Sequence, residues 1–281
     1  MSGRTNTLLS LFAGILLSAS APIAYAADLA ATPAPAPATP PIDLAFGMKL
    51  ANDYVFRGID QSNGHFAAQG YVEARILDFA YLGAWTSNVS FPTAYGLTNP
   101  AAEVDLYGGL RHTWGALTLD VGALYYEYPN QSYPLPGQVS INYYEVYFKP
   151  TYVINDTFTV GGNLFVTNNY VNTGAGGTYL SGTLKANLPP LLPYKDIATY
   201  ISGEVGEEFL GTARTGLDLP SYTTWNVGIG ATWNVMTLDL RYSGSSLSRG
   251  ECTIVSGVPN WCGNRFIASL AIDTTLLTLG K

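Results

Sequence analysis

From Ile42 onward, apolar residues recur at every second position, the period of a β-strand whose two faces meet different surroundings. The stretch Thr224 to Trp233 shows it most plainly. Trp225, Val227, Ile229, Ala231 and Trp233 fall on one face, and Thr224, Asn226, Gly228, Gly230 and Thr232 on the other. The next stretch repeats it, with Met236, Leu238, Leu240 and Tyr242 opposing Thr237, Asp239, Arg241 and Ser243 across a tight turn at Asn234. The pattern predicts twelve strands, centred on 43–56, 66–77, 80–90, 102–113, 116–128, 140–152, 157–169, 178–188, 196–208, 221–233, 235–243 and 264–274. Most are longer than the usual soluble strand of about 5–6 residues. They match the roughly 9–11 residues that a tilted strand needs to cross a bilayer.

The connectors sort by length. Tight ones fall at Asp78-Phe79, Trp114-Gly115, Ile154 to Asp156 and Asn234, with a Pro-rich one at Leu188 to Lys195. Long ones fall at Arg57 to His65, Phe91 to Ala101, Pro129 to Val139, Tyr170 to Gly177, Phe209 to Pro220 and Gly244 to Gly263. Short and long alternate strictly, as in an outer-membrane barrel with short periplasmic turns and long outer loops. Hydrocarbon leaves no partner for an unpaired backbone group, so such a sheet must close on itself. The fold class expected is therefore all-β, an antiparallel transmembrane barrel of about twelve strands. Tyr125, Tyr126, Tyr128, Tyr143 and Tyr144 near one rim, and Trp114 and Trp233 near the other, are expected to form interfacial belts.

Composition sharpens this. Of 281 residues 47% are apolar and only 12% charged, about half the soluble norm. Residues 1–26 read as a secretory signal peptide: Arg4, an apolar run from Leu8 to Leu17, and Ala24-Tyr25-Ala26 as the cleavage site. Residues 27–41 alternate Ala and Pro and read as an extended periplasmic tether. The barrel then occupies 42–281. Without Arg4 the chain carries 12 basic and 20 acidic residues, a net charge of −8, which gives no reason to expect nucleic acid as a partner.

Followed through, the alternation puts most strand charges on one face: Lys49, Asp53, Glu73, Arg75, Asp105, Arg111, Asp120, Glu145, Lys149, Lys185, Glu204, Glu208, Asp239, Arg241, Arg265 and Asp273. Toward lipid each would be destabilising, by up to about 2–4 kcal/mol for a mid-depth Arg or Lys. Toward the lumen they can pair or line a wet path. Seven are basic and nine acidic, a slight cationic preference rather than a one-sign filter.

The segment "DYVFRGIDQS", Asp53 to Ser62, interrupts the alternation with a polar cluster. Together with "QGYVEA" (69–74), "GAWTSNV" (83–89), "EVDLYGG" (103–109), "YYEYP" (125–129) and "YYEVY" (143–147), it resembles the TorF-like putative porins of proteobacteria over roughly 43–150. Asn52 stands where that pattern has Ser, and the chain ends "IDTTLLTLGK" without the terminal aromatic usual in such barrels. The resemblance implies an outer-membrane barrel with a pore-like role. On this reading strand one reaches the outer mouth near Phe56, and Asp53, Arg57 and Asp60 sit at or near that mouth where water can reach them, either as a local Asp–Arg pair that holds the strand end or as contacts for a solute.

Other chemistries find little support. The two histidines, His65 and His112, show no nucleophile partner that a hydrolase would need. Glu207-Glu208 lies at a strand end, where two mouth charges are the simpler reading than an acid–base dyad. "GAGG" at 174–177 lacks the Lys and Ser/Thr of a phosphate loop, and no metal-ligand spacing occurs. No cofactor is called for. Cys252 and Cys262, close together in one long loop of an exported chain, are expected to form a disulfide. The expectation is a non-enzymatic outer-membrane porin-like channel passing small hydrophilic solutes or ions, weakly cation-leaning. It would be surrounded by outer-membrane lipid, as a monomer or as a trimer built on a lipid-facing seam. The alternative from another class is a non-conducting barrel whose outer loops bind a partner or surface. A third, a lipid hydrolase, would need one of the two histidines.

Overall fold

A computed structural model describes residues 41–77, 79–92, 98–100, 102–131, 140–189 and 196–279. The expected signal peptide and all but the last residue of the tether lie outside these, as do most of the Pro-rich connector and of the loop after Pro129.

Twelve antiparallel strands form a closed barrel. In chain order they are β1 (Ile42–Ala51), β4 (Ala67–Ile76), β5 (Ala80–Ser87), β6 (Glu103–Trp114), β7 (Leu117–Glu127), β8 (Tyr143–Val153), β9 (Phe158–Thr167), β10 (Gly177–Leu188), β11 (Ile197–Leu210), β12 (Tyr222–Trp233), β13 (Met236–Ser245) and β14 (Arg265–Thr275). Two short strands, β2 (Val55–Phe56) and β3 (Ile59–Asp60), pair with each other and, among the described residues, with no other strand. The barrel closes because β1 pairs on both edges: Phe46 faces Val72 of β4 on one side and Thr274 of β14 on the other. Every other neighbouring pair is consecutive in sequence, so each is joined by one connector. One helix, α1 (Arg249–Ser256), rides on the loop between β13 and β14, capped by Ser248 and Glu251 in a reciprocal box. None of the described helices is long and apolar enough to cross a membrane.

The two faces of the sheet invert a soluble protein. Outward positions carry Leu82, Leu106, Val121, Val205 and Leu238, each at least half exposed. At outward positions of the described strands the carboxylates are Glu127 and Glu207, both within a turn of the long-loop rim. An apolar wall of this kind is at home in hydrocarbon, where the closed pairing leaves no strand edge unsatisfied. Trp114 and Trp233 project outward at the short-turn rim, and Tyr125 and Tyr144 at the long-loop rim. The other three tyrosines expected in that belt do not. Tyr126, Tyr128 and Tyr143 point inward and are buried, because the odd–even alternation along β7 and β8 sends neighbours to opposite faces.

The first strand also departs from expectation. It was expected to run from 43 to 56, but it ends at Ala51. Asn52 stops it by pairing its side chain with the β14 backbone, donating to Phe266 O at 3.0 Å and accepting from Ala268 N at 2.7 Å. With that edge occupied, the chain leaves the wall and turns into the barrel.

Candidate functional site

What enters the barrel is the β2–β3 hairpin. Val55 pairs with Asp60 and Phe56 with Ile59, so Arg57 and Gly58 make a two-residue turn. Both have positive φ, 46° and 77°, the backbone of the hairpin turn that matches strand twist. Gly58 is required twice over. Its φ favours glycine, and a Cβ there would lie 2.8 Å from Ser245 Cβ and 2.9 Å from both Gly244 O and Thr224 Oγ1. The tip therefore lies against the wall formed by β12 and β13.

Arg57 is 3% exposed. Its guanidinium grips Glu145 of β8 with both arms, Nη1 to Oε1 at 2.8 Å and Nη2 to Oε2 at 2.7 Å, and Nη1 also donates to Glu208 Oε2 of β11 at 2.9 Å. Tyr126 donates its hydroxyl to Glu145 Oε2 at 2.8 Å. Three rings surround the cation, with centroids 4.4 Å (Tyr179), 4.7 Å (Phe56) and 4.8 Å (Phe165) from Cζ. Bidentate charge-assisted bonds and cation–π contacts out of water are among the stronger single interactions a side chain can make.

The neck of the hairpin is also tied down. Ser62 donates its hydroxyl to Asp53 Oδ1 at 2.9 Å and accepts from Tyr54 N at 2.9 Å. Arg265 of β14 bridges the two neck carboxylates, reaching Asp53 at 3.1 Å and Asp60 at 2.8 Å. Burial, and Asp53 beside it, push the Asp60 carboxyl up to about 7 against the pull of Arg265. The α1 loop covers this neck: Asp60 N donates to Trp261 O at 2.9 Å, and Trp261 Nε1 to Asn63 Oδ1 at 3.0 Å. Cys252 and Cys262 are joined by a disulfide within that loop.

Around the hairpin the long-loop half of the lumen is packed with aromatics. Tyr54 meets Trp85 edge-on, Phe56 meets Tyr126, Tyr126 stacks on Tyr143 at 4.4 Å, and Phe91 lies against Tyr128 and Trp261. The short-turn half is polar. Asp120 of β7 receives Arg111 at 3.0 Å, Lys149 at 3.4 Å and the Tyr81 hydroxyl at 2.5 Å, while Glu73 of β4 takes Arg75 and Arg111. Across the lumen Arg241 pairs with Asp239 at 3.0 Å and reaches Ser202 and Asn226, and Tyr179 and Asn163 converge on Glu204.

None of the sixteen charged residues assigned to the inner face is solvent-exposed. Lys49, Asp53, Glu73, Arg75, Asp105, Arg111, Asp120, Glu145, Lys149, Lys185, Glu204, Glu208, Asp239, Arg241, Arg265 and Asp273 are all buried or half-buried. Arg57 and Asp60 are a correction. They were expected at a wet mouth, yet Arg57 is buried inside the wall and Asp60 is 0% exposed at the neck. The cause is the inward turn at Asn52, which converts an outer loop into a stopper. Glu207 and Glu208 split likewise: Glu207 faces out and accepts from Thr223 Oγ1 at 2.6 Å, whereas Glu208 faces in and holds Arg57. His112 packs edge-on against Trp114, and His65 places Nδ1 3.0 Å from Ser62 O.

Residues outside the charged set matter as much. Glu103 is buried on β6 beside Asp105, and Phe165, Tyr179, Tyr126 and Tyr143 wall the Arg57 pocket. The available signal was "VFRGID", with Phe56 and Ile59 flanking a two-residue turn with Gly second, which reads as a hairpin.

A family model described as a bacterial protein of unknown function (Gcw_chp) matches residues 35–271. No curated protein matches the chain. Among solved structures, the KdgM porin is similar at 9% identity, with 82% of this chain and 98% of that one covered and a TM-score of 0.48. An outer membrane channel from Pseudomonas putida F1 is similar at 13% identity over 88% and 100%, TM-score 0.46. LpxR from Salmonella typhimurium is similar at 11% identity over 82% and 99%, TM-score 0.39. The barrel assignment rests on the strand pairing described above, not on these likenesses.

Proposed function

The chain belongs to the bacterial Gcw_chp family, whose function is unknown, and from its lumen we propose an outer-membrane channel of porin type, held closed by its first long loop. The TorF-like resemblance of residues 43–150 points the same way. The observation that carries the reading is the pairing of an apolar outer skin with an ion-lined interior whose long-loop half is blocked by a hairpin. The blocking contacts are non-covalent and centred on one arginine, so they can be released. Once the hairpin leaves, the sixteen inner charges line a path for small hydrophilic solutes. With Arg57 withdrawn, Glu145 and Glu208 join Glu103 and Asp105 near the outer entrance, which favours cations. A cleaved signal peptide at 1–26 and a Pro/Ala tether would deliver the barrel to the outer membrane with its short turns toward the periplasm.

Planar-bilayer recording in asymmetric salt tests this. The wild-type protein is expected to be mostly silent. A variant with Tyr54–Gln61 excised and replaced by a short Gly-Ser bridge is expected to show steady unitary steps with a cation-selective reversal potential. The bridge is feasible because Asp53 and Ser62 are already in contact. An excised barrel that folds in lipid but never conducts would remove the channel reading. The second reading would then stand, a non-conducting barrel presenting the α1 loop to a partner. The packed aromatic interior favours it, and deleting that loop should abolish such binding.

A further inference from the structure

The pocket around the hairpin tip is built for one chemical group. Glu145 meets the guanidinium edge with two parallel bonds of 2.8 and 2.7 Å, Glu208 takes a third, and the Tyr179 and Phe165 rings lie within 4.8 Å of its carbon. All of these wall residues come from β7 to β11 and none from the hairpin, so the pocket persists when the hairpin leaves. Nor does Arg57 exhaust it. Among the described residues Glu208 Oε1 is buried with no hydrogen-bond partner, although the other oxygen of Glu208 is bonded to Arg57.

We propose that this pocket is a recognition site for guanidinium-bearing solutes, which Arg57 occupies as a tethered internal ligand while the barrel is closed. A planar fork matches a carboxylate edge and stacks on aromatic faces, whereas an ammonium is a hydrated point charge that does neither as well. Binding a free guanidinium and docking the hairpin are mutually exclusive, so the solute competes with the stopper. The spare Glu208 oxygen suits a solute with a further donor beyond the guanidinium. This deepens the channel reading and rests on it for the route by which solute arrives.

The test uses the full-length barrel carrying Arg57→Ala in detergent micelles, with folding verified by far-UV circular dichroism. Methylguanidine at millimolar concentration is expected to raise its thermal midpoint saturably, methylammonium to act at least about tenfold more weakly, in line with the fork geometry, and the Arg57→Ala/Glu145→Gln double variant to respond to neither. If Arg57→Ala does not fold, the variant with Tyr54–Gln61 excised exposes the same walls and takes its place. In bilayers methylguanidine should reduce the current of the same variant at matching concentrations. Equal responses to the two probes, or none to methylguanidine, would overturn the site. Current without methylguanidine binding would overturn the site and leave the channel. Binding in micelles from a variant that never conducts would uphold the site and remove the channel.

Discussion

Arg57 has a backbone conformation that few non-glycine residues adopt, φ 46°, and the tertiary contacts of its side chain hold it there. Gly58 beside it is the more sensitive position, because any Cβ collides with the β12–β13 wall. Gly58→Ala is therefore expected to undock the hairpin while leaving the barrel intact. Limited proteolysis should cut near residue 58 in that variant and not in the wild type. At the neck, Asp60 gives docking a pH dependence. Its carboxyl sits at about 7 in the docked state against about 3.9 when free. The docked form thus holds its proton more tightly. Its advantage is full below about pH 4 and is lost as pH rises through 7. Asp53 and Arg265 are the charged groups in contact with it. Protease susceptibility of the hairpin should rise between pH 5 and about 8, and Asp60→Asn should flatten that profile.

At the scale of elements, the twelve wall strands were legible and the stopper was not. Strict alternation bounded by turn residues specifies a two-faced strand, and each predicted wall strand is present. The miss lay at the end of the first. Val55, Phe56 and Ile59 continue an apolar pattern that suits a membrane strand and a buried hairpin equally. Asn52 separates the two only through a bond to β14, more than two hundred residues away in sequence. Alternation says which face a wall-strand charge takes, but not its partners, because pairing depends on which strands face each other across the lumen. The α1 loop is a separate element, secured by its disulfide and resting on the hairpin neck through Trp261. Closing a loop of this size is worth about 2–3 kcal/mol on the chain-entropy model. Replacing Cys252 and Cys262 with Ser should leave the barrel strands unchanged but speed hydrogen exchange at Asp60 and Trp261, which lose their cover.

For the whole molecule, the governing feature is the inversion of inside and outside. Val121→Arg and Leu240→Arg put a cation on the outer face near mid-strand. Each is expected to cost about 2–4 kcal/mol of folding stability in lipid vesicles, measured by denaturant titration. Glu127→Arg, at the rim, should cost about 0–1 kcal/mol, because that level borders water. A soluble β-sandwich would show no such dependence on depth. The seam gives the design one more consequence. Asn52 and Arg265 tie the root of the hairpin to the last strand, at the one place where the beginning and end of the chain must meet to complete the cylinder. The cork therefore hangs from the joint that completes the cylinder, and a copy whose joint has closed holds its cork within reach of the seat from the start.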